Sequence, residues 1–220
     1  MTSGCKAAIF DMDGTLLNSM RFWRLVGLEY LVAHDLPVPE WPASRLFGTS
    51  GRATVTHVLE ENGVLYDDAA LVDELERRMA KYYQGDVRPK PGVVELLEAL
   101  RDRGIPCAVA TATPKAIASA ALDRHGLLKY FRFVTDGYEL GTSKSDPEYF
   151  RAAAGRLDAR PEECWMFEDA LYAIRGAKAA GMRVCVIEDV TAWQREEIQS
   201  LADIYVSSFA ELLPGLERLS

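Results

Sequence analysis

This sequence has no excess of positive charge. Its 220 residues carry 33 Asp and Glu against 25 Lys and Arg, a formal net charge of -8. Phosphate backbones are held by fields of Lys and Arg, so no nucleic-acid partner is expected. A small anionic ligand is still compatible with that charge, because a few basic groups in one pocket can outweigh an acidic surface. Cysteine is scarce: Cys5, Cys107, Cys164 and Cys185 are the four present, and none forms a close pair of the metal-binding type. Cys107 and Cys185 lie inside apolar runs and read as buried thiols acting as small hydrophobes. No apolar stretch is long enough to span a bilayer, so no membrane partner is expected. Met1 to Lys6 leads into a short strand-like run and then charges, which is not the build of a signal peptide, and the expected home is the cytoplasm. Internal repeats and low-complexity segments are missing as well.

What is present is a globular composition, 49% hydrophobic and 26% charged. That suits one domain, or one domain with an insertion. Short apolar runs recur at Ala7 to Phe10, Ile105 to Ala110, Phe131 to Val134, Cys164 to Phe167, Val184 to Ile187 and Ile204 to Val206. Each reads as a buried strand. Helical patterns lie between them. Val93, Leu96, Leu97 and Leu100 share one helix face that closes at Gly104, and the alanine-rich stretch from Ala170 to Ala180 closes at Gly181. Strands alternating with helices of this length predict an α/β fold, a Rossmann-like parallel sheet covered on both faces.

From about Leu16 to Pro89 the strand pattern stops. Phe22, Leu25, Val26 and Tyr30 line one candidate helix. Val55, Val58 and Leu59 mark a second, and Leu71, Leu75, Met79 and Tyr82 a third. Pro37, Pro39 and Pro42 break the chain after the first, and Pro89-Lys90-Pro91 reads as the returning linker. The expected organisation is a core of residues 1–15 and 90–220 interrupted by an all-helical insertion at 16–89.

Four stretches carry candidate chemistry. Phe10-Asp11-Met12-Asp13-Gly14-Thr15 ends the first strand, and open parallel sheets bind ligands beyond the carboxyl ends of their strands. Two close carboxylates repel, so they call for a metal, a shared proton or separate roles. Ending a strand and capping the next helix is the plainer use of the same residues. Glu168-Asp169 stands at the same kind of position after the fourth strand. If those two strands are neighbours, three or four carboxylates converge and a hard cation such as Mg²⁺ makes that tolerable. Thr111 and Ala112 stand before a helix, where a hydroxyl and free N–H groups can hold phosphate oxygens, although an ordinary N-cap has the same sequence. Lys144, in Gly141-Thr142-Ser143-Lys144-Ser145-Asp146-Pro147, is either a solvated loop charge or the counter-ion of this cluster.

The order Asp-x-Asp-Gly-Thr, then Thr, then Lys, then Glu-Asp resembles the haloacid dehalogenase superfamily along essentially the whole chain. The run from Phe167-Glu168-Asp169-Ala170 to Ala180-Gly181-Met182 resembles its β-phosphoglucomutase-like phosphatase branch. The resemblance implies a Rossmann-like core with a helical cap, and a Mg²⁺-dependent phosphatase acting on a small phosphorylated metabolite. It implies Asp11 as nucleophile, forming an aspartyl-phosphate, and Asp13 as general acid and then base. Thr111 and the Ala112 N–H would hold the phosphoryl group, and Lys144 would bridge Asp11 and the phosphoryl oxygens. Asp169 would bind the metal with Asp11 and the Asp13 carbonyl, and Glu168 would be a further ligand or support one. Substrate choice would come from the cap, where Gly48-Thr49-Ser50-Gly51-Arg52 resembles a specificity loop. Arg52 could grip a second anionic group or be a surface charge at a helix start, and Arg45 is a poorer candidate for that grip. A monomer or weak dimer is expected.

The sequence departs from the family pattern at Asn18, where many relatives carry Asp, and at Lys144-Ser145, where Lys-Pro is common. Trp23 stands where mutases of the branch carry a His, which disfavours a sugar phosphomutase. The presence of Asp13 disfavours a dehalogenase. Lys81, the lysine of the inserted segment, would have to serve in phosphonate cleavage. A catalytically silent phosphate-binding protein predicts damaged motifs, whereas Asp11, Asp13, Lys144 and Asp169 are all in place.

Overall fold

The computed structural model describes residues 4–42, 49–189 and 194–219. Arg45 and Gly48, named above, lie outside the described residues. The chain opens with β1 (Ala7–Phe10) and continues through three helices, α1 (Met20–Ala33), α2 (Gly51–Glu61) and α3 (Asp68–Gln84). Then follow α4 (Val93–Asp102), β2 (Cys107–Ala110), α5 (Lys115–Arg124), β3 (Phe131–Thr135), α6 (Gly137–Leu140) and α7 (Pro147–Gly155). The last stretch holds β4 (Cys164–Glu168), α8 (Leu171–Ala180), β5 (Arg183–Ile187), α9 (Arg195–Leu201), β6 (Ile204–Val206) and α10 (Phe209–Leu212).

The six strands form one parallel sheet in the order β3-β2-β1-β4-β5-β6. Every residue of β1, β2 and β4 is buried, so both faces of the central strands are covered. That is why these strands read as unbroken apolar runs rather than alternating ones. Phe10 and Phe167 stack at 4.3 Å across the β1–β4 pair, with Phe209 tilted against both. The chain divides into two compact units, one of Met1–Asn18, Arg88–Val190 and Gln194–Ser220 that contains the sheet, the other built on Ser19–Val87.

In the helical unit α1 and α2 approach backbone to backbone at two glycines. A β-carbon on Gly51 would stand 2.1 Å from the Trp23 carbonyl oxygen, and one on Gly27 would stand 2.6 Å from Gly51 Cα. Gly51→Ala is therefore expected to destabilise this unit by about 1–3 kcal/mol, as forced overpacking does. A lower thermal midpoint and faster proteolysis within Ser19–Val87 would report it, and an unchanged midpoint would refute it. Two sequence readings are corrected here. The buried stripe of α3 is Leu71, Leu75, Met79 and Tyr83, not Tyr82. Tyr82 instead stacks on Phe22 at 4.8 Å and donates its hydroxyl to Glu29. Leu25 is also off the core face of α1, at 40% exposure, because that face runs through Phe22, Val26 and Tyr30.

Candidate active site

The strand order reverses at β1 and β4, where neighbouring connections leave in opposite directions and open a crevice at the carboxyl edge. Register places the acidic groups there. Phe10 pairs with Phe167, and Asp11 donates its N–H to the Phe167 carbonyl at 2.9 Å. The next residues on the two strands are Asp11 and Glu168, with Asp169 one step further. Carboxylate oxygens of Asp11, Glu168 and Asp169 lie within 4.8 Å of one another, and all three residues are buried. Gly14, at φ 83°, then turns the chain sharply away from β1.

Lys144 closes this cluster from the loop between α6 and α7. Its Nζ donates to Asp11 Oδ1 at 2.7 Å and to Glu168 Oε2 at 2.6 Å, with the side chain almost fully buried. The loop is seated tightly on α8. A β-carbon on Gly176 would stand 2.3 Å from the Lys144 carbonyl oxygen, so glycine is what admits the loop at this depth. Asp146 caps α7 through the Glu148 N–H at 2.9 Å, and Pro147 opens that helix, which fixes the loop's exit.

The hydroxyl groups complete the ring. Thr113 donates its hydroxyl to Asp13 Oδ2 at 2.7 Å, and its N–H goes to Thr111 Oγ1 at 3.1 Å. The Thr111 hydroxyl therefore accepts and keeps its own proton to donate. Thr15 donates to Asp169 Oδ1 at 3.0 Å. Tyr149 donates to the Thr111 carbonyl at 3.1 Å, which braces the end of β2. Ala112 is exposed at the same strand end.

Burial dominates the electrostatics. It pushes the Asp11 carboxyl up to about 8, with Glu168 adding to the rise and Lys144 opposing it. It pushes Asp169 well above the carboxylate range too, reinforced by Glu168, Asp11 and Asp189 and opposed by Lys90. Glu168 is raised by burial against the pull of Lys144. Burial disfavours the Lys144 charge, but Asp11 and Glu168 outweigh it and hold the ammonium well above its ordinary value. Three buried carboxylates around one ammonium leave a deficit of positive charge, and the all-oxygen donor set fits a divalent cation. Both Glu168 oxygens are engaged, by Lys144 and by the Ala170 N–H at 3.2 Å. Asp11 and Asp169 are better placed as ligands.

Arg52 stands in the first turn of α2 in the helical unit. Its Nη2 meets both oxygens of Asp68 at 2.7 Å, and both side chains are exposed. An anion would have to displace Asp68 to reach it. Residues that the sequence reading left without a role are Thr15, Thr113, Tyr149, Lys90 and Asp189. Thr113 carried a usable signal, since its spacing of two from Thr111 puts both on one side of an extended chain. Lys90 carried one as well, a charge pinned between two prolines. Its buried Nζ donates to the Glu188 carbonyl at 2.9 Å and lies 3.5 Å from Asp189 Oδ2. Tyr149 and Asp189 had no local signal.

A doubly wound parallel sheet with a carboxylate cluster bridged by one ammonium at its switch point is an α/β protein whose acidic cluster stands where such sheets bind their ligands. The haloacid dehalogenase-like hydrolase model matches residues 5–181, and the chain belongs to that family. It is 32% identical over 178 residues to a fructose-1-phosphate phosphatase of Escherichia coli, covering 79% of this chain and 92% of that protein. It is also 32% identical to a phosphoglycolate phosphatase of Rhodospirillum rubrum, covering 97% of this chain and 95% of that protein. The crystal structure of CbbY from Rhodobacter sphaeroides in complex with phosphate superposes with a TM-score of 0.78 at 26% identity, covering 94% and 96% of the two chains. With these relatives, the chain is a phosphoric monoester hydrolase. No helix among the described residues is long and apolar enough to cross a membrane.

Proposed function

We propose that the chain hydrolyses a small phosphorylated metabolite, of the sugar-phosphate kind, through an aspartyl-phosphate on Asp11. The observation that carries this reading is the Lys144 ammonium held 2.7 Å from Asp11 within the buried acidic cluster. An Asp11 oxygen attacks phosphorus while the bond from phosphorus to the leaving oxygen breaks. Asp13 gives that oxygen its proton. Water then attacks the phosphorus, returns a proton to Asp13 and frees Asp11 as phosphate departs. In this reading Thr111 Oγ1, which accepts from the Thr113 N–H and so keeps its own proton to donate, and the Ala112 N–H would hold the transferring group, and the Thr113 hydroxyl holds Asp13 in place. Mg²⁺, bound by Asp11 and Asp169 with the Asp13 carbonyl, would supply charge neutralisation for the phosphoryl oxygens. Lys144 contributes the same kind of stabilisation from the protein side. The similarity to phosphatases of fructose 1-phosphate and phosphoglycolate supports a small metabolite as substrate.

The reading is tested with fructose 1-phosphate, Mg²⁺ and a phosphate-release assay. Free phosphate is the expected product, with loss of activity in EDTA and recovery on adding Mg²⁺. An isomerised, still phosphorylated product would replace it with a phosphomutase. Metal binding has its own readout. A carboxyl raised from 3.8 to about 8 in the folded protein keeps a proton that the unfolded chain gives up. Its contribution to stability is present below about pH 4 and is lost as pH rises through about 8. A cation needs the deprotonated oxygens, so it competes with that proton. The rise in thermal midpoint caused by Mg²⁺ is expected to be small at pH 5 and larger at pH 8. Equal rises at both pH values would count against Asp11 as a ligand.

A further inference from the structure

Resting on the reading that Asp11 and Asp169 hold a divalent cation, we propose that the buried pair Lys90 and Asp189 are positioning residues that set how tightly that cation is held. Lys90 stands on the returning segment of the chain, between Pro89 and Pro91. Its N–H donates to the Leu16 carbonyl at 2.9 Å, and Pro89 bridges Leu17 beside it. Its ammonium reaches the end of β5, where it donates to the Glu188 carbonyl at 2.9 Å and lies 3.5 Å from Asp189 Oδ2. One residue thus ties the chain just after Thr15 to the end of β5. Asp169 belongs to the same place. It follows β4, the strand paired with β5, and its Oδ1 accepts the Thr15 hydroxyl at 3.0 Å.

A pin between two segments does not need these charges. Lys90 is 8% exposed and Asp189 4%. Removing both from water costs about as much as their attraction gains, and an apolar pair of similar size packs as well or better. The charges act instead on the acidic cluster. Burial is the main reason the Asp169 carboxyl sits high; Glu168 and Asp11 add to it, then Asp189, whereas Lys90 draws it down. Asp189 therefore adds negative potential at this ligand and Lys90 removes it. Among the described residues the converging carboxylates are Asp11, Glu168 and Asp169, and Asp189 stands outside that group, so it works through its field rather than as a ligand. Together the two residues add no net charge. Singly they oppose each other: Asp189 draws a cation in, and Lys90 restrains it.

Calorimetry of Mg²⁺ binding at pH 8, without substrate, tests this apart from turnover. The variants are Lys90→Met, which keeps an unbranched stem without the charge, Asp189→Asn, and the two combined. Lys90→Met should bind Mg²⁺ about 10-fold more tightly and Asp189→Asn about 10-fold more weakly, the scale of one unit charge acting on a divalent ion through partly screened protein. The double variant should return to near the wild-type affinity, because the pair it removes is neutral. If Lys90→Met does not fold, the double variant set against Asp189→Asn carries the same sign: loss of the ammonium should tighten binding there too. A pin that only holds two segments together makes every variant bind more weakly. That result, or affinities that do not change, would overturn the inference. A wild-type protein that binds no Mg²⁺ would instead defeat the metal reading, and this inference with it.

Discussion

Asp11→Asn is expected to lower phosphate release from a sugar phosphate by at least about 10⁴-fold, since loss of a covalent nucleophile removes the whole two-step route. The amide is nearly isosteric with the carboxylate but is a far weaker nucleophile. The fold should survive. Asp11 is buried at the end of β1, its backbone N–H still bonds to Phe167, and Lys144 keeps Glu168 as partner. Burial holds the Asp11 carboxyl up at about 8, so near pH 8 its charge is a cost to the metal-free protein that the neutral amide removes. The thermal midpoint of the metal-free variant at pH 8 should therefore equal or exceed that of the wild type. Turnover by the variant at the wild-type rate would remove Asp11 from the nucleophile's role.

Lys144→Ala should damage both activity and stability. The ammonium is 3% exposed and bridges Asp11 and Glu168, so its removal leaves two buried carboxylates facing each other. Breaking a buried pair by deleting one partner costs about 3–5 kcal/mol. Phosphate release should fall by about 10²–10³-fold, the usual loss when one charge stabiliser of the transition state is removed. The sign of the pH dependence separates this from a simple packing defect. Protonation of the stranded carboxylates relieves the repulsion, so the midpoint deficit should be larger at pH 8 than at pH 5. A deficit independent of pH would mean that the lysine stem, not its charge, supports the site. Arginine is a poor replacement because the loop has no room to shift: Gly176 already meets the Lys144 carbonyl in direct backbone contact.

Much of the fold was legible because buried parallel strands are apolar on both faces. Ala7–Phe10 and Ile204–Val206 each coincide with an apolar run, and Cys164–Glu168 extends its run by one residue, the charged Glu168. The second strand is shorter than its run, starting at Cys107 rather than Ile105. Helix faces were read less well where one residue of rotation matters. Successive helical residues point about 100° apart, and Tyr82 and Tyr83 are equally apolar letters, so only packing could decide which one is buried. Arg52 shows a different limit. Its type and loop left an anion grip and a surface charge equally open, and only the fold brings Asp68, an exposed residue at the start of the next helix, against it.

The amino-acid sequence by itself determined the element types, their alternation and the chemical identity of each strand-end residue, because these follow from local hydrophobic period and residue type. Tertiary structure alone decided that β1 lies between β2 and β4, that Asp11 meets Glu168 and Asp169, and that Lys144 reaches both Asp11 and Glu168. Strand order and register are set by which apolar faces pack best across the whole sheet. That is a sum over distant contacts, and no window of sequence contains it.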